Sequence, residues 1–398
     1  MTKEVILKMK DHAFSEALEE ASREIGKANI LQGHYSTYLS LPLPSISLRY
    51  LLQYDGFPLG CFVLIIGEKA SFKTNLSCFF ASLHNQQDGF TIFLDTEGGA
   101  APIAKAILGD NLILEDCPSI ENWYEKLKIY SEKLEAAVAK GRVYPVCFII
   151  DSIAGSESEK TASKIDEEGI SAVSIPTEAR MISAILRHKH KVLLTNPFTI
   201  IGTNHIKKVI GNTTNPDEEY FPGGKALAYH AQIILKVKKT KKPEIVNDAY
   251  RMELQLSVEK NRFGPEKLYI NVPVTIKGGD KVNVKFEWHK STVDLLCDGL
   301  CFPIKYREKM LGRIREVVNI ESRSGGAKGT LYYSSELGIP REKAVVAEEI
   351  SEAIESNQQL LDDLYKVLFI KHSPKFQPCV DYMTQLKRAA GINDESEN

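Results

Sequence analysis

The stretch that decides the fold runs from Val63 to Leu76 and reads VLIIGEKASFKTNL. Its four apolar residues predict a buried strand, a short loop follows, and Lys73 and Thr74 open a predicted helix. Such a loop can bind phosphate, because its backbone N–H groups point at the anion, the lysine reaches the outer phosphates and the hydroxyl ligates Mg²⁺. Phe72, however, stands where the pattern G-x-x-x-x-G-K-[ST] has its second glycine. The alternative is an ordinary strand–turn–helix with an exposed lysine, and the rest of the chain must decide between the two.

Length and composition predict one large domain with one or two smaller ones. The chain has 398 residues, of which 26% are charged and 43% hydrophobic, and its formal net charge is −2. A net charge near zero gives no global attraction to nucleic acid, so any such site must be a local basic surface. No apolar run approaches the roughly 18 residues of a membrane span, and the segment Met1–Val5 lacks the apolar region of a signal peptide. We therefore expect a soluble protein with no membrane partner.

The cysteines are typical of a reducing compartment. Cys61, Cys78 and Cys147 lie in apolar strand or helix contexts, which predicts reduced core residues. Cys297 and Cys301 form a C-x₃-C without a second ligand pair nearby, so a zinc site is not expected there. The predicted location is the cytoplasm.

Three regions follow one another along the chain. Residues 1–44 are predicted to form a helix, over residues 11–25, and an extended apolar arm, over residues 31–44. This segment is too small to form a core, so it packs on its own main domain or on a neighbouring subunit. Residues 45–288 are the predicted core, and residues 289–398 are predicted to form a separate small C-terminal domain.

The core is predicted to be an α/β domain with a mostly parallel twisted sheet. Strands alternate with helices and later follow one another directly, a pattern that excludes a helix bundle and a β-sandwich. A long helix is predicted from Trp123 to Val138. The predicted strands after the first are Phe90–Asp95, Val146–Ser152, a fourth built from Val192–Thr195 with Ile200–Asn204, then Ala231–Lys238 and Met252–Val258.

The C-terminal region has a different character. Ser322–Gly329 is predicted to be a flexible basic loop, and a single long amphipathic helix is predicted from about Arg341 to Ile370. The last residues, Asn393–Asn398, form an acidic tail that is predicted to be disordered.

Three predicted strands of the core end in polar residues, at Asp95-Thr96-Glu97, Asp151-Ser152 and Asn204-His205. Ligands of open parallel sheets bind outside the carboxyl ends of the strands, so these side chains are expected to converge. A nucleotide hydrolase needs a carboxylate near Mg²⁺, a second carboxylate to activate water and a sensor of the γ-phosphate. Asp151, Glu97 and His205 suit these roles in that order. Individually each has a structural alternative, a helix cap for the aspartate and a hydrogen-bonded core residue for the histidine; together with the lysine loop they indicate a nucleoside triphosphatase.

The motifs, taken in order, resemble the RecA recombinase family. They read GEKASFKT, FLDTEGG, FIIDSIAG, IIGTNHIKK, FPGGKALAYHAQIILKVKK and VEKNRFGPEK. Within the family the chain most resembles the phage UvsX-type recombinases, which share the phenylalanine before the P-loop lysine and have Asn-His where bacterial RecA has Asn-Gln. The resemblance covers roughly residues 45–285; the N-terminal helix fits in kind, and the C-terminal domain fits poorly.

The resemblance implies ATP and Mg²⁺ as cofactors and a role for each residue of the site. Lys73 would contact the β- and γ-phosphates, and Thr74 and Asp151 would hold Mg²⁺, the aspartate through its shell. Glu97 would orient the attacking water, and His205 would sense the γ-phosphate. The whole predicted nucleotide-binding set is Gly67, Glu68, Lys69, Ala70, Ser71, Phe72, Lys73, Thr74, Asn75 and Asp151.

Lys260 and Arg262 would reach across to the ATP of an adjacent subunit, as the resemblance implies. Cations supplied in this way neutralise charge on the transferred phosphoryl group, so hydrolysis would require assembly. The alternative for these two residues is a solvated strand end.

Two long polar segments, residues 160–178 and 206–224, would line the filament axis and bind DNA, as the resemblance implies. Basic side chains and loop amides suit phosphate contacts, and apolar side chains suit wedging between bases. Aromatic residues are sparse there, so recognition should tolerate any sequence. The predicted DNA-binding residues are Ser171, Ile175, Arg180, Ile206, Lys207, Lys208, Val209, Gly211, Asn212, Gly223 and Gly224. In the C-terminal region, Arg313, Arg315, Arg323 and Lys328 would gather incoming duplex DNA or are simply solvated.

The implied function is ATP-dependent homologous pairing and strand exchange by a helical filament on single-stranded DNA. Implied partners are homologous duplex DNA, a recombination mediator and a single-strand-binding protein, in the host cytoplasm if a phage encodes the chain. A hexameric helicase of the same superfamily is one alternative, because such enzymes also carry a Lys-x-Arg pair close to Gly-Pro. A structural filament that binds nucleotide without useful turnover is another. The position where bacterial RecA stacks a tyrosine on the base is Ala104, which leaves the nucleotide preference open.

Overall fold

The computed structural model describes residues 39–54, 56–138, 144–159, 161, 163, 180–187, 198–208, 219–220, 222, 224–246, 249–278, 282–326, 329–369 and 377–378. The predicted N-terminal helix, the acidic tail and residues 192–195 of the predicted fourth strand lie outside these residues. Most of the first predicted DNA segment does so as well.

A ten-stranded sheet forms the centre of the fold. Its parallel part runs, from the edge inwards, through β5 (Leu112–Asp116), β4 (Phe90–Asp95), β6 (Val146–Asp151), β7 (Phe198–His205), β3 (Phe62–Gly67) and β10 (Ile233–Lys239). The antiparallel part continues from β10 with β12 (Ala249–Asn261), β13 (Tyr269–Lys277) and β14 (Val284–Phe286), and β11 (Glu244–Val246) pairs with β12. The predicted α/β class with a mostly parallel sheet is confirmed.

The burial of the strands differs between the parallel and the antiparallel part of the sheet. Every residue of β3 and β6 is buried, as expected where helices cover both faces of a parallel sheet. Along most of β12, buried residues instead alternate with more exposed ones, because only one face of that part is packed.

Helices cover both faces of the parallel part. α2 (Lys73–Asn85) contributes Leu76 and Phe80 to one hydrophobic cluster, and α4 (Ile120–Val138) contributes Trp123 and Leu127 to another. The remaining helices of the core are α1 (Ile46–Leu52), α3 (Ala101–Leu108) and α5 (Gly224–His230), and residues 180–187 are also helical. The predicted long helix is thus confirmed as α4. None of the described helices has both the length and the apolarity needed to cross a bilayer.

The end of the predicted arm forms a small sheet beside the core. β1 (Leu39–Pro42) pairs with β2 (Gly56–Pro58) in antiparallel and with β17 (Gln377–Pro378) in parallel orientation. An extended conformation was predicted there, and the described part of the arm has it.

The C-terminal region corrects two predictions. The predicted flexible basic loop is a hairpin of β15 (Glu321–Ser324) and β16 (Thr330–Tyr333). The predicted long helix is wrong, because two separate helices, α8 (Ala347–Ser356) and α9 (Gln358–Leu368), lie on either side of Asn357. Asn357 is extended, and its side chain accepts a hydrogen bond from the N–H of Leu360 at 3.1 Å, so it caps a new helix rather than continuing the old one.

Two further helices, α6 (Trp288–Cys297) and α7 (Ile304–Arg315), complete this region. Ile314 of α7, Ile354 of α8 and Leu364 of α9 belong to the same buried cluster as Leu48 of α1. Arg49 adds a polar link, donating to the hydroxyl of Tyr365 at 2.6 Å.

Candidate nucleotide and DNA site

The loop between β3 and α2 holds two non-glycine residues in a backbone conformation that favours glycine. Phe72 adopts φ 67° and ψ 26°, and Ala70 has φ 58°, so both lie in the left-handed region that favours glycine. The ring of Phe72 is 9% exposed and packs in the main hydrophobic cluster. Burial of the ring thus offsets a conformation that costs roughly 1–2 kcal/mol.

The two left-handed residues should therefore respond oppositely to glycine. We expect Ala70→Gly to stabilise the protein by about 0.5–1 kcal/mol, because the exposed methyl group contributes little and the strain is relieved. We expect Phe72→Gly to destabilise it by about 2 kcal/mol or more, because losing a buried phenylalanine costs more than the strain returns. Urea unfolding of both variants measures the difference. Equal shifts of the same sign would show that the ring of Phe72 does not stabilise this loop.

Lys73 is held at the mouth of the loop. Its side chain is buried, and Nζ donates to the carbonyl oxygens of Gly67 at 3.2 Å and Glu68 at 2.8 Å. Burial lowers the pKa of Lys73, while the carboxylates of Asp151 and Glu97 oppose that shift. The ammonium group is therefore held against the loop, with the carboxylates of Asp151 and Glu97 close enough to act on its charge.

Thr74 and Asp151 form a pair of oxygen donors beside this lysine. Thr74 Oγ1 donates to Asp151 Oδ2 at 2.5 Å, and the hydroxyl of Thr203 donates to Asp151 Oδ1. Burial raises the pKa of Asp151, and the two hydroxyl donors lower it in part. A hydroxyl and a carboxylate are hard oxygen ligands of the kind Mg²⁺ prefers, so these residues fit the predicted metal role.

Glu97 is positioned by contacts from two sides. Its Oε1 accepts a hydrogen bond from Ser152 Oγ at 2.5 Å and lies 3.2 Å from His205 Nε2. Burial pushes the pKa of Glu97 upward, but the hydrogen bonds from Ser152 and His205, with the charge of Lys73, bring it below its ordinary value. Glu97 is therefore an ionised carboxylate at neutral pH, as a group that orients water must be.

Asp95, at the end of β4, has a structural role. Its carboxylate accepts from the backbone N–H groups of Glu97, Gly98 and Ala100 at 3.1, 2.9 and 3.0 Å. It thereby shapes the turn that presents Glu97 and the start of α3.

His205 joins the nucleotide site to the second predicted DNA segment. Its Nδ1 lies 3.3 Å from Lys73 Nζ while its Nε2 faces Glu97. Just after it, β8 (Lys207–Lys208) pairs with β9 (Glu219–Tyr220) and closes the base of the segment. Asn204, one residue before, donates from Nδ2 to the carbonyl of Pro222 at 2.7 Å at the far end of the same segment.

The predicted DNA-binding residues are described only in part. Lys207 is exposed and Ile206 half-buried at the base of the second segment, and Gly224 begins α5. Arg180 is exposed at the start of the helical residues 180–187. Those that lie outside the described residues are Ser171, Ile175, Val209, Gly211, Asn212 and Gly223.

Lys260 and Arg262 lie near the amino ends of β10 and β3, whereas the phosphate loop follows the carboxyl end of β3. Lys260 pairs with Ile234, which pairs in turn with Leu64, and Gly67 lies three residues further along β3, a distance of about 10 Å. The two side chains point instead to the end of α5. Lys260 Nζ donates to the carbonyls of Ala228 and Tyr229 at 2.6 and 3.0 Å, and Arg262 Nη2 donates to that of Tyr229 at 3.0 Å.

These contacts place both cations on the carboxyl end of a helix, where the helix dipole favours positive charge. Lys260 is half-buried, whereas Arg262 is exposed. Burial lowers the pKa of Lys260, and the charge of Arg262 lowers it further. Within this chain both side chains contact the end of α5 and not the phosphate loop.

A cavity of about 520 Å³ adjoins the phosphate loop. Its lining includes Ala70 and Phe72 of the loop, Ile276 of β13 and the partly exposed ring of Tyr250. Tyr250 pairs with Ile276 across β12 and β13. Ala104, by contrast, is fully buried in the main cluster and offers no surface to a base.

Three residues of this arrangement were missed by sequence reasoning. Thr203 lies two residues before His205 on β7, so the alternation of a strand places both on one face. Ser152 was noted only as the neighbour of Asp151. Tyr250 had no signal of its own, because its position depends on the pairing of β12 with β13, and β13 was not predicted.

A lysine-bearing loop at the carboxyl end of a parallel strand, a Thr–Asp oxygen pair and a facing glutamate define a nucleotide-binding α/β protein of the P-loop class. The profile of the family described as RecA N-terminal domain matches residues 12–279. The chain therefore belongs to the RecA family.

Curated relatives agree with this membership. Protein RecA of Oceanobacillus iheyensis is 28% identical over 260 residues, which cover 64% of this chain and 71% of that protein. Protein RecA of Mycoplasmopsis pulmonis is 29% identical over 227 residues, covering 56% and 62%. Protein RecA of Bacillus pumilus is 26% identical over 312 residues, covering 76% and 85%.

Proposed function

We propose that this protein is an ATP-dependent recombinase that assembles on single-stranded DNA, pairs it with homologous duplex and exchanges strands. The observation that carries the proposal is the position of His205, within 3.3 Å of both Lys73 and Glu97 and at the root of the second DNA segment. A group in this position can transmit the state of a nucleotide to bound DNA. The name Protein RecA, borne by the relatives above, favours a recombinase over a helicase or an inert filament.

Bound Mg²⁺ would neutralise charge on the phosphates, and Thr74 and Asp151 are the residues we assign to hold it. Glu97 orients the attacking water, and Lys73 binds the outer phosphates. DNA-dependent hydrolysis of ATP is therefore part of the proposal. It resets the filament rather than performing the exchange.

We assign Lys260 and Arg262 to the ATP of a neighbouring subunit. The register of β12, β10 and β3 keeps them about 10 Å or more from their own phosphate loop. Each nucleotide would thus lie in a seam between two subunits, in a head-to-tail contact of the kind that generates helical filaments. The N-terminal segment, residues 1–44, is the proposed polymerisation arm.

The base of the nucleotide is proposed to enter the cavity beside Ala70 and Phe72 and to stack on Tyr250. We expect Tyr250→Ala to raise the KM for ATP about tenfold, which corresponds to about 1.4 kcal/mol of lost stacking, with kcat little changed. Tyr250→Phe, which keeps the ring, is the matched control and should leave KM within about twofold of the original. A KM unaffected by the alanine variant would remove Tyr250 from the base site.

Lys207 is proposed to contact a DNA phosphate. We expect Lys207→Ala to weaken binding to single strands of any sequence and to lower the slope of log K against log salt by about 0.7, the value for one phosphate contact. Titrations of labelled oligonucleotides at several salt concentrations measure the slope. Lys277→Ala, at an exposed lysine on the end of β13, is the control. An unchanged slope for Lys207→Ala would contradict the assignment.

Finer features extend the proposal. Phe72 and the pair Asn204-His205 favour the phage UvsX-type branch, with a mediator and a single-strand-binding protein as partners. We propose the host cytoplasm as the location, where buried free thiols such as Cys61 and Cys147 stay reduced. Residues 289–398 are proposed to act as a separate domain that gathers duplex DNA through arginines such as Arg313 and Arg323.

Two measurements on the same protein and single-stranded DNA test the function. With ATP, the ATPase rates with and without the DNA should differ strongly. Negative-stain images of a parallel sample with a non-hydrolysable ATP analogue should show helical filaments. Closed rings would favour the helicase. DNA-independent turnover without filaments would overturn the proposal.

A further inference from the structure

Three side chains that can bind a metal ion meet between α6 and α8. His289 comes from the first turn of α6, and Glu348 and Glu352 lie four residues apart on α8. Potential ligand atoms, one from each residue, lie within 4.8 Å of one another. The set shares no residue with the nucleotide site.

One buried polar atom at this place has no hydrogen-bond partner among the described residues. It is Nδ1 of His289, which is one of the three potential ligands. Ser351 and Glu355 of α8 act on each other instead, because a hydrogen bond from Ser351 lowers the pKa of Glu355 in part. Buried polar groups are nearly always satisfied, so the unpartnered nitrogen of His289 calls for a missing water or ion.

The two glutamates also favour a cation. Glu348 and Glu352 are separated by four residues on one helix, so their like charges face each other and destabilise α8 slightly. A divalent ion between them would convert this repulsion into attraction. His289, on the facing helix, would then be joined to both.

We propose that His289, Glu348 and Glu352 bind a divalent transition-metal ion of the zinc class, which fastens α8 to α6. An imidazole nitrogen with two carboxylate oxygens suits Zn²⁺ better than Mg²⁺, which prefers oxygen ligands alone. The role is structural, because it joins two helices of the C-terminal region away from the ATP site.

The test uses the full-length protein, stripped with a chelator and kept in excess Mg²⁺. Calorimetric titration with Zn²⁺ should show one strong site, and thermal unfolding should move to higher temperature on its addition. Glu352→Gln should weaken binding on the order of 100-fold and abolish the thermal shift. Glu349→Gln, at an exposed glutamate on the same turn of α8, should bind like the original protein.

The unfolding temperature of the metal-free protein is a second readout, and there we expect Glu352→Gln to cause no loss of stability. Without zinc, Glu352→Gln should unfold at the same or a slightly higher temperature than the original protein, because the repulsion with Glu348 is gone. Glu348→Gln should behave in the same way and repeats the test should one variant fold poorly. If Glu352 instead stabilised the protein through contacts that need no metal, Glu352→Gln would lower the unfolding temperature both with and without zinc.

Cobalt separates this site from the cysteines. Co²⁺ bound by nitrogen and oxygen gives only weak absorption bands, whereas thiolate ligands add an intense charge-transfer band. We expect weak bands that disappear in Glu352→Gln. An intense thiolate band, equal zinc affinity in Glu352→Gln and Glu349→Gln, or no zinc binding above the Mg²⁺ background would each overturn the proposal.

Discussion

Glu97→Gln is expected to lower the DNA-dependent ATPase rate by about 10²- to 10⁴-fold, the usual contribution of a general base. Glutamine keeps the size of the side chain and can still contact Ser152, but it cannot take or orient a proton as the ionised carboxylate does. ATP binding and filament formation should persist, because neither needs the charge of Glu97. The ATPase rate, the affinity for a fluorescent ATP analogue and negative-stain imaging measure the three properties.

Two further variants are compared with Glu97→Gln: Ser152→Ala removes a contact of Glu97, and Glu157→Gln is the control. Ser152 donates to Glu97, so removing its hydroxyl should slow hydrolysis by a smaller factor, about tenfold. Glu157 is an exposed carboxylate beyond the end of β6, and its glutamine variant should hydrolyse ATP normally. If Glu97→Gln retained the original rate, the water-activating role would belong to another residue.

Lys260→Ala combined with Arg262→Ala is expected to reduce hydrolysis by about 10³-fold or more, as the loss of cations that act across an interface does in other phosphoryl-transfer proteins. The affinity of the isolated subunit for ATP should change little, because the two side chains lie near the amino ends of β10 and β3, away from the phosphate loop of the same subunit. The contrast between these effects marks a contribution in trans. ATPase rates above and below the concentration of assembly, together with nucleotide binding to dilute protein, measure it.

The same variant could fail for a local reason, because both cations hold the carboxyl end of α5. Thermal unfolding of the variant separates the two causes. Loss of these contacts alone should cost on the order of 1–3 kcal/mol and leave a folded protein. An ATPase defect that equally weakens ATP binding by the dilute subunit would contradict the assignment in trans.

The core of the fold could be predicted from the sequence because the patterns that indicate its strands and helices are local. Continuous apolar runs ending in a polar residue located β4 and β6, and the lysine loop located the start of α2. The same local logic found Glu97, Asp151 and His205, because parallel strands bring their carboxyl ends together. The sequence alone left open whether Phe72 disrupts the phosphate loop. The structure shows that Phe72 adopts the left-handed backbone conformation that a glycine would favour.

What could not be predicted depends on pairing at a distance. Tyr250 lines the cavity beside the phosphate loop because β12 pairs with β13 in a particular register. No local sequence pattern encodes that register. The predicted long helix is divided at Asn357 because the side chain of this residue caps the start of α9. The sequence pattern is equally compatible with an exposed asparagine inside one continuous helix. The hairpin of β15 and β16 was hidden because its residues are mostly polar, small or glycine.

The central claim is that each ATP is hydrolysed by groups from two subunits, and mixing two inactive variants tests it most directly. Glu97→Gln keeps the cations, and the variant lacking Lys260 and Arg262 keeps the glutamate, so mixed filaments contain some complete seams. Random one-to-one mixing should restore about a quarter of the original DNA-dependent ATPase rate, because half of the subunits supply Glu97 and half of their neighbours supply the cations. A mixture no more active than its two components, with filaments visible, would contradict the claim.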